Sequence, residues 1–467
     1  MKKEFAQNKI SRMPNAIVLL LGLLLLVGVL SYFIPSGQYD KVMVNGKEVV
    51  DPTSFHLVEK KPLSPLDILN AVHQGMAAAG PLIFMILIIG GAIRLFESTG
   101  AIAGVVAAFA RRFGSERSSW VLTLIFLFFA ALGAFPGMLE AAIPFAPLCV
   151  AIALALGDDM IVGIAVPVVA ISIGWTAGPT NPWTVGIGQN LAGLPMFSGI
   201  GYRLLILAVL SLVALSYILF YAGRIKRNPG RSLSLGIDAV SAEVPAGRLE
   251  QTPFTATHKI VLAIFVLTLG AIVYGAIMWR WGFAQMASLY ILGGTAAGVV
   301  CGWGPNRIAD TFVEGGRAIF SGVVAVGLAR GLSVIMEKAG IIDTIIHYLS
   351  LPMKELSTMT SATIMFVIQT VINFFIPSGS GQAMATLPIM LPLADILGVG
   401  KQVAILAFQF GDGLSNVCYP TVAVLIAYLT YTGVPFSRWL RFIMPCMLLL
   451  WIVAAGFTAA GVLIGWN

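Results

Sequence analysis

Long apolar segments dominate this 467-residue chain, and its charged residues are confined to the short stretches between them. Hydrophobic residues make up 58% of the chain and charged residues only 10%, whereas a soluble domain carries about 25% charged residues. An apolar segment of roughly 20 residues is long enough to cross a bilayer as a helix. The sequence therefore predicts an all-α polytopic membrane protein, and it excludes soluble enzymes, disordered regulators and nucleic-acid binders.

Basic residues predict the orientation of the chain, because positively charged loops stay in the cytoplasm. Four basic side chains lie within the first 12 residues, ahead of an apolar span at 16–34, so we expect a cytoplasmic N-terminus. A polar linker at 224–258 begins with a second basic cluster and is also placed in the cytoplasm. The last span then leaves the C-terminus outside, and we predict a multi-pass protein of the inner (plasma) membrane, in contact with membrane lipid.

The order of spans and linkers predicts five parts. They are a first span with an extracytoplasmic hairpin (1–65), a first repeat (66–223), the cytoplasmic linker (224–258), connecting spans (259–307) and a second repeat (308–467). Within the repeats, single continuous spans are expected at 68–93 and 308–336.

The two repeats are related by a nearly constant shift along the chain. A shift of 240 residues aligns Glu97 with Glu337. A shift of 235 residues aligns Thr180, Asn181 and Arg203 with Ser415, Asn416 and Arg438. The spans between the repeats reverse the second one, so we predict an inverted repeat, as in many secondary transporters. A chance alignment of two glycine-rich apolar segments is the alternative.

Two kinds of helix-breaking segment occur once in each repeat. Proline and glycine interrupt 133–144 and 375–392, which we predict to be re-entrant hairpins, and also 174–182 and 411–420, which we predict to be broken helices. Non-helical backbone at membrane depth persists only where protein buries it or where it lines a cavity. Short polar side chains at these breaks are therefore candidate substrate ligands, although they could instead only cap the broken helices: Thr180, Asn181, Ser378, Ser380, Ser415 and Asn416.

Two acidic residues stand alone in long apolar segments. Glu140 is the only ionisable acid or base between residues 121 and 157, and Asp412 is the only one between 402 and 437. An unpaired carboxylate inside a membrane costs about 2.5–3.5 kcal/mol on insertion scales and is usually functional. We therefore predict that both acids bind substrate or a coupling cation, with a buried structural hydrogen bond as the alternative.

Positive charge is scarce around these acids. The segments 161–202 and 356–394 carry no charge, and Arg330 is the one cation expected to approach, more plausibly pairing with Glu337. Two acids without a basic neighbour favour a substrate with an amino group, its carboxylate bound by hairpin amides. Na⁺ at Asp412 would equally supply positive charge for a dicarboxylate.

At these breaks the sequence resembles the YfcC/DcuC-type carrier family, within the large ion-transporter superfamily. The resemblance rests on Gly-Trp-Thr-Ala-Gly-Pro-Thr-Asn-Pro at 174–182, Ile-Pro-Ser-Gly-Ser-Gly-Gln at 376–382 and Asp-Gly-Leu-Ser-Asn at 412–416. It implies an elevator-type carrier, a homodimer whose moving domain contains two re-entrant hairpins and two broken helices. It also implies Na⁺ as a coupling ion, with Asn181, Asp412 and Asn416 as its ligands, and no other cofactor.

The resulting prediction is a secondary active transporter of small carboxylate-bearing metabolites rather than an enzyme. Amino acids are favoured, basic ones among them, moved by exchange or by ion-coupled symport. A Na⁺- or H⁺-coupled carrier of four-carbon dicarboxylates is the alternative. An intramembrane serine protease, suggested only by Ser378-Gly379-Ser380-Gly381, would need a histidine base at membrane depth, and a channel would conduct without stoichiometric coupling.

Overall fold

The architecture is almost entirely helical. The computed structural model describes residues 16–44, 47–51, 53–60, 63–101, 104, 118–237, 255–279 and 281–467. Within these ranges, seven helical segments are long and apolar enough to cross a membrane. The predicted all-α polytopic class is confirmed.

The chain begins with a short apolar helix and a small β region. Helix α1 (Ala16–Leu30) ends four residues before the predicted end of the first span. Four short strands follow: β1 (Gly37–Gln38), β2 (Lys41–Val44), β3 (Lys47–Val50) and β4 (His56–Leu57). Antiparallel pairs form between β1 and β4 and between β2 and β3, as expected for the predicted hairpin, whose turn at 45–46 lies outside the described residues.

Each of the two long spans expected at the start of the repeats is a pair of helices. Residues 68–93 are divided between α2 (Pro65–Ala78) and α3 (Gly80–Ser98), where Pro81 in the first turn of α3 cannot donate a backbone hydrogen bond. Residues 308–336 are divided further along the chain, at Ile319. The expectation of single continuous spans was therefore wrong.

The remaining helices complete the two repeats. In the first they are α4 (Ser118–Ala134), a 3₁₀ turn (Leu139–Phe145), α5 (Ala146–Ala155), α6 (Met160–Ala177), a π turn (Pro182–Gly186), α7 (Ile187–Ala192) and α8 (Ile200–Arg227). A 3₁₀ turn at Pro229–Arg231 precedes the connecting helices α9 (Ala256–Trp279) and α10 (Phe283–Val300). The second repeat contains α11 (Pro305–Ala318), α12 (Phe320–Ala339), α13 (Ile342–Ser350), a 3₁₀ turn (Leu351–Glu355), α14 (Thr358–Phe375), α15 (Gly379–Ile396), α16 (Lys401–Ser415), α17 (Ala423–Thr432) and α18 (Phe436–Leu463).

The predicted linker is shorter than expected at both ends. Helix α8 continues through the basic cluster to Arg227, and α9 already begins at Ala256. Most of the linker, 238–254, lies outside the described residues.

Corresponding helices of the two repeats have similar lengths. The first helices α2 and α11 both have 14 residues, and the last helices α8 and α18 both have 28. The first helices also pack reciprocally, α2 against α12 and α11 against α3. Glycine permits both contacts, because a Cβ atom at Gly75 would collide with the backbone of Gly331, and one at Gly315 with the backbone of Gly90.

Helix α6 lies at the centre of the molecule. Every one of its residues is buried, and it packs against α4, α5, α8 and α16. Gly174 and Gly133 allow α6 and α4 to touch backbone to backbone. This central helix ends at the first predicted break, so the packing places that break inside protein.

Candidate functional site

The first predicted break lies against the tip of the first hairpin. Helix α6 ends at Ala177, and Gly178 adopts the left-handed conformation with φ 50°. The Thr180 hydroxyl donates to the Phe135 carbonyl of the hairpin tip at 3.0 Å. Gly137 of the same tip packs directly on the fully buried Asn181 side chain. The break and the hairpin tip thus form one contact surface.

The second hairpin turns at 376–378 and begins its return helix beside Asp412. Ser378 caps α15 by accepting from the Gly381 amide at 3.3 Å, and Gly379 lies against the Asp412 carboxylate. The N-terminus of a helix carries partial positive charge, so this placement favours an ionised Asp412. The Pro388 and Pro392 pair, expected to take part in the turn, lies inside the continuous helix α15.

Asp412 also joins the two broken helices to each other. The Trp175 indole of α6 donates to Asp412 Oδ2 at 2.7 Å, and Asp412 is fully buried. Gln409, one turn earlier on α16, donates its amide to the Trp175 and Thr176 carbonyls at 3.0 and 3.4 Å. The C-terminal end of α6 therefore lies directly against the acidic turn of α16.

Asn373 holds the second break in shape. Its amide nitrogen donates to the Asp412 carbonyl, the Ser415 hydroxyl and the Asn416 side-chain oxygen at 3.0, 2.7 and 2.9 Å. Ser415 in turn donates to the Gly411 carbonyl at 2.5 Å. Ser415 therefore caps the end of its own helix in this conformation, as the alternative reading of the sequence expected.

A buried arginine lies behind the first break. Arg203 is fully buried on α8, and its Nη1 atom lies 3.4 Å from the Ala177 carbonyl. The absence of Lys and Arg from the segments around the breaks suggested a site without a nearby cation, and that expectation was wrong. The reason is that α8 packs against α6, which brings a residue of a neighbouring segment to the break.

Unpartnered buried atoms differ in kind between the two breaks. Among the described residues, acceptors without a hydrogen-bond partner cluster at the second break: Asp412 Oδ1, Asn373 Oδ1, Gln409 Oε1 and Gln382 Oε1. Unpartnered donors occur at the first break: Asn181 Nδ2, Arg203 Nε and Arg203 Nη2. Buried polar groups are normally satisfied, so this contrast indicates a cationic ligand at the second break and an anionic group at the first.

Sequence comparison places the chain among carriers. A family model described as "DcuC: C4-dicarboxylate anaerobic carrier" matches residues 13–463. The chain belongs to this carrier family. A relative from Escherichia coli (strain K12), named "Putative basic amino acid antiporter YfcC", is 30% identical over 97% of this chain and 97% of its own. The resemblance to the YfcC/DcuC-type carriers is confirmed.

Other relatives share the length of this carrier. An uncharacterized protein of Haemophilus influenzae (strain ATCC 51907 / DSM 11121 / KW20 / Rd) is 26% identical over 95% of this chain and 96% of its own. The solved YdaH transporter of Alcanivorax borkumensis is 14% identical, with a TM-score of 0.45 over 97% of this chain and 99% of that one. MtrF of Neisseria gonorrhoeae, described with a class of antimetabolite efflux pumps, is 17% identical, with a TM-score of 0.41 over 96% and 95%.

The carrier's other predicted charges lie apart from Asp412. Glu140 is partly exposed in the 3₁₀ turn of the first hairpin, where the neighbouring Leu139 carbonyl accepts from the Tyr428 hydroxyl at 2.8 Å. No basic side chain of the described residues lies within ion-pair distance of it. Arg330 lies 3.8 Å from Glu337 at an exposed position, the pairing that the sequence favoured.

Of the remaining predicted ligands, some are accessible and others are already bonded. Ser380 is exposed beside the second hairpin tip, whereas Asn416 is buried and its side-chain oxygen accepts from Asn373. Asn181 uses its oxygen to accept from the Trp183 amide at 2.9 Å. The side chains that sequence reasoning missed are Arg203, Asn373, Gln382 and Gln409. Uncharged amides within apolar helices were the available signal for three of them.

The largest cavity of the described residues lies elsewhere. It has a volume of about 500 Å³ and is lined by mostly apolar side chains of α10 and α11, including Ile291, Phe312 and Val313. An apolar surface groove in a membrane protein suits lipid chains better than a carboxylate. The breaks, not this groove, are the candidate substrate site.

Proposed function

We propose that this protein is a secondary active transporter of small carboxylate-bearing metabolites, with amino acids as the favoured class. The observation that carries the proposal is the contrast between the two breaks. Unpartnered oxygen atoms surround Asp412, while unpartnered N–H groups lie at Asn181 and Arg203. A ligand with both an ammonium and a carboxylate group would satisfy atoms of both kinds.

The second break suits a cation in two ways. Carboxylate and amide oxygens are ligands for hard cations, and Asp412, Asn373 and Gln409 offer three oxygens without partners. They would hold either Na⁺ as a coupling ion or the ammonium group of the substrate. The name of the relative YfcC, which describes a basic amino acid antiporter, supports a substrate with a second positive charge.

A four-carbon dicarboxylate is the second candidate substrate. It is supported by the description of the family and by Arg203, which brings positive charge close to the first break. In this version Na⁺ at Asp412 would offset the charge of one carboxylate, and donors at the first break would bind the other. The two versions therefore differ in whether substrate or Na⁺ contacts Asp412.

An elevator mechanism between inverted repeats is part of the proposal. Support comes from the matched helix lengths of the two repeats and from the reciprocal packing of α2 with α12 and α11 with α3. Thr358 donates to the Leu397 carbonyl at 3.2 Å and so joins the two ends of the second hairpin. At the first hairpin, Lys226 pairs with Asp158 at 3.3 Å and donates to Ser118. Hairpins closed at their bases would open the site at their tips.

The cellular setting is proposed on the same basis. The family and the apolar helices support a multi-pass membrane protein. We place it in the inner membrane with the N-terminus and linker in the cytoplasm, because the basic residues cluster there. The homodimer is proposed from the family resemblance alone.

A ligand screen tests this proposal. The purified protein would be heated with lysine, arginine, neutral amino acids and four-carbon dicarboxylates, each with NaCl or with choline chloride. Stabilisation by amino acids in both salts supports an ammonium group at Asp412. Stabilisation by dicarboxylates only in NaCl supports the second candidate. Counterflow in proteoliposomes would then establish transport, and conduction of ions without substrate would contradict a carrier.

A further inference from the structure

Arg203 differs from an ordinary buried ion pair. It is the fourth residue of α8, and its guanidinium lies on the carbonyl of Ala177, the last residue of α6. On another side it faces the Trp466 ring at 5.4 Å. No acidic side chain of the described chain lies within ion-pair distance. An unpaired buried charge is costly, and breaking such charges from their partners costs several kcal/mol in other proteins, so its retention calls for a reason.

The corresponding place in the second repeat is occupied by a neutral residue. Trp439 is the fourth residue of α18 and is fully buried, as Arg203 is on α8. Its indole donates to the Val417 carbonyl of the second break at 2.7 Å. The structure thus matches Arg203 with Trp439, one position beyond the Arg438 that sequence alignment selected. A neutral N–H donor is sufficient to cap a break, so the charge of Arg203 is not needed for capping.

The charge does matter for the electrostatics of the first break. The C-terminus of a helix carries partial negative charge, and in secondary transporters the free carbonyls of half-helix ends hold cations. At the end of α6, Gln409 donates to the Trp175 and Thr176 carbonyls and Arg203 to the Ala177 carbonyl. All three carbonyls have a donor, and one of these donors is positively charged. The first break therefore does not fit Na⁺.

We propose that Arg203 is a tethered cation that occupies the first break, so that the carrier binds a mobile cation only at the second break. This inference rests on the proposed transport function for its meaning, but not for its test. The asymmetry implies that the two repeats have divided their roles. The first break holds a permanent positive charge beside its anion-binding donors, and the second holds Asp412 for a cation that enters and leaves.

The test asks whether removing the charge of Arg203 creates a new cation site. Purified full-length Asp412→Asn protein would serve as the background, so that the second break contributes as little as possible. Into it we would introduce Arg203→Trp, which places the residue of the matched position at the first break and keeps an N–H donor. Arg203→Lys is the matched control, because it keeps the charge. Thermal unfolding would be measured in NaCl and in choline chloride at equal ionic strength.

We expect Na⁺ to raise the unfolding temperature of Asp412→Asn/Arg203→Trp by about 2 °C or more relative to choline, and not to do so for the Lys control. No added Na⁺ response in a folded Arg203→Trp protein would overturn the inference, as would an equal response in the Lys control. Arg203→Gln would replace the Trp variant if that variant failed to fold. A Na⁺ response that persists in Asp412→Asn alone would instead count against the proposed role of Asp412.

Discussion

Asp412 is the residue at which sequence and structure agree most closely. Its isolation in an apolar segment predicted a function, and its surroundings explain how the charge is tolerated. Trp175 donates to one carboxylate oxygen and the first turn of α15 lies beside it, while the other oxygen has no partner among the described residues. A carboxylate that is half satisfied can bind and release a cation without a large change in solvation.

The first prediction concerns this carboxylate. Asp412→Asn keeps the shape and the indole contact but removes the charge, so the affinity for Na⁺ or for a substrate ammonium should fall by about 10- to 150-fold, the equivalent of about 1.5–3 kcal/mol. Ligand-induced thermal shifts would measure it. Asp395→Asn is the matched control, because Asp395 is exposed and pairs with Lys401 at 3.7 Å. Unchanged affinity in a folded Asp412→Asn protein would remove Asp412 from the site.

At the scale of elements, glycine contacts position the breaks. Helices α4 and α6 touch at Gly133 and Gly174, where a Cβ atom would collide with the backbone of the opposite helix. Because α4 leads into the first hairpin tip and α6 ends at the first break, the separation of these two helices determines how the tip meets Asn181. Close packing of small residues is a usual way for helices to associate in membranes.

The second prediction tests this contact. Gly174→Ala should force α4 and α6 apart and lower the stability by about 1–3 kcal/mol, as overpacking does elsewhere. Gly201→Ala on α8 is the control, since a Cβ atom there meets open space; it should be neutral or stabilise by up to about 1 kcal/mol. Thermal unfolding in detergent would compare them. Equal stability of the two variants would show that α4 and α6 can separate at no cost.

At the scale of the whole molecule, the proposed mechanism requires one part to slide past another. The hairpins and broken helices would move against the helices α2, α3, α11 and α12. Gly322 of α12 meets Thr430 of α17 at this boundary, with 3.0 Å between the Thr430 Cβ and the position a Cβ would take at residue 322. Such a contact must break if α17 moves with the hairpins.

The third prediction is that a disulfide across this boundary stops transport. Gly322→Cys/Thr430→Cys, in a protein whose four native cysteines are replaced, should lose transport on oxidation, keep substrate binding and recover on reduction. The control is Thr268→Cys/Gly293→Cys, which joins α9 and α10 within one part at a similar 3.2 Å. Full transport in the oxidised Gly322/Thr430 protein would contradict sliding at this boundary.

The fourth prediction concerns orientation. A single cysteine introduced at Ser241, in the linker outside the described residues, should be protected from impermeant reagents in intact cells and labelled after permeabilisation. The reason is the basic cluster at the end of α8. Labelling of the intact cells would invert the proposed topology. A cysteine at the C-terminal end of α18 provides the opposite expectation in the same experiment.

The sequence by itself determined the membrane class, the carrier family, the four helix breaks and the isolation of Asp412. These features depend on local properties: apolar length, proline and glycine, and the absence of neighbouring charge. Length alone could not reveal that residues 68–93 and 308–336 are each divided in two, because a kinked pair and a straight span have the same apolar composition.

The tertiary structure decided how the breaks are charged. Arg203 reaches Ala177 only because α8 packs on α6, and Trp175 reaches Asp412 across 237 residues of chain. Which buried donors and acceptors remain without partners also depends on the complete set of neighbours, as for Asn373 and Gln409. Electrostatic interactions act through space between segments that are distant in sequence, and local patterns carry no record of those distances.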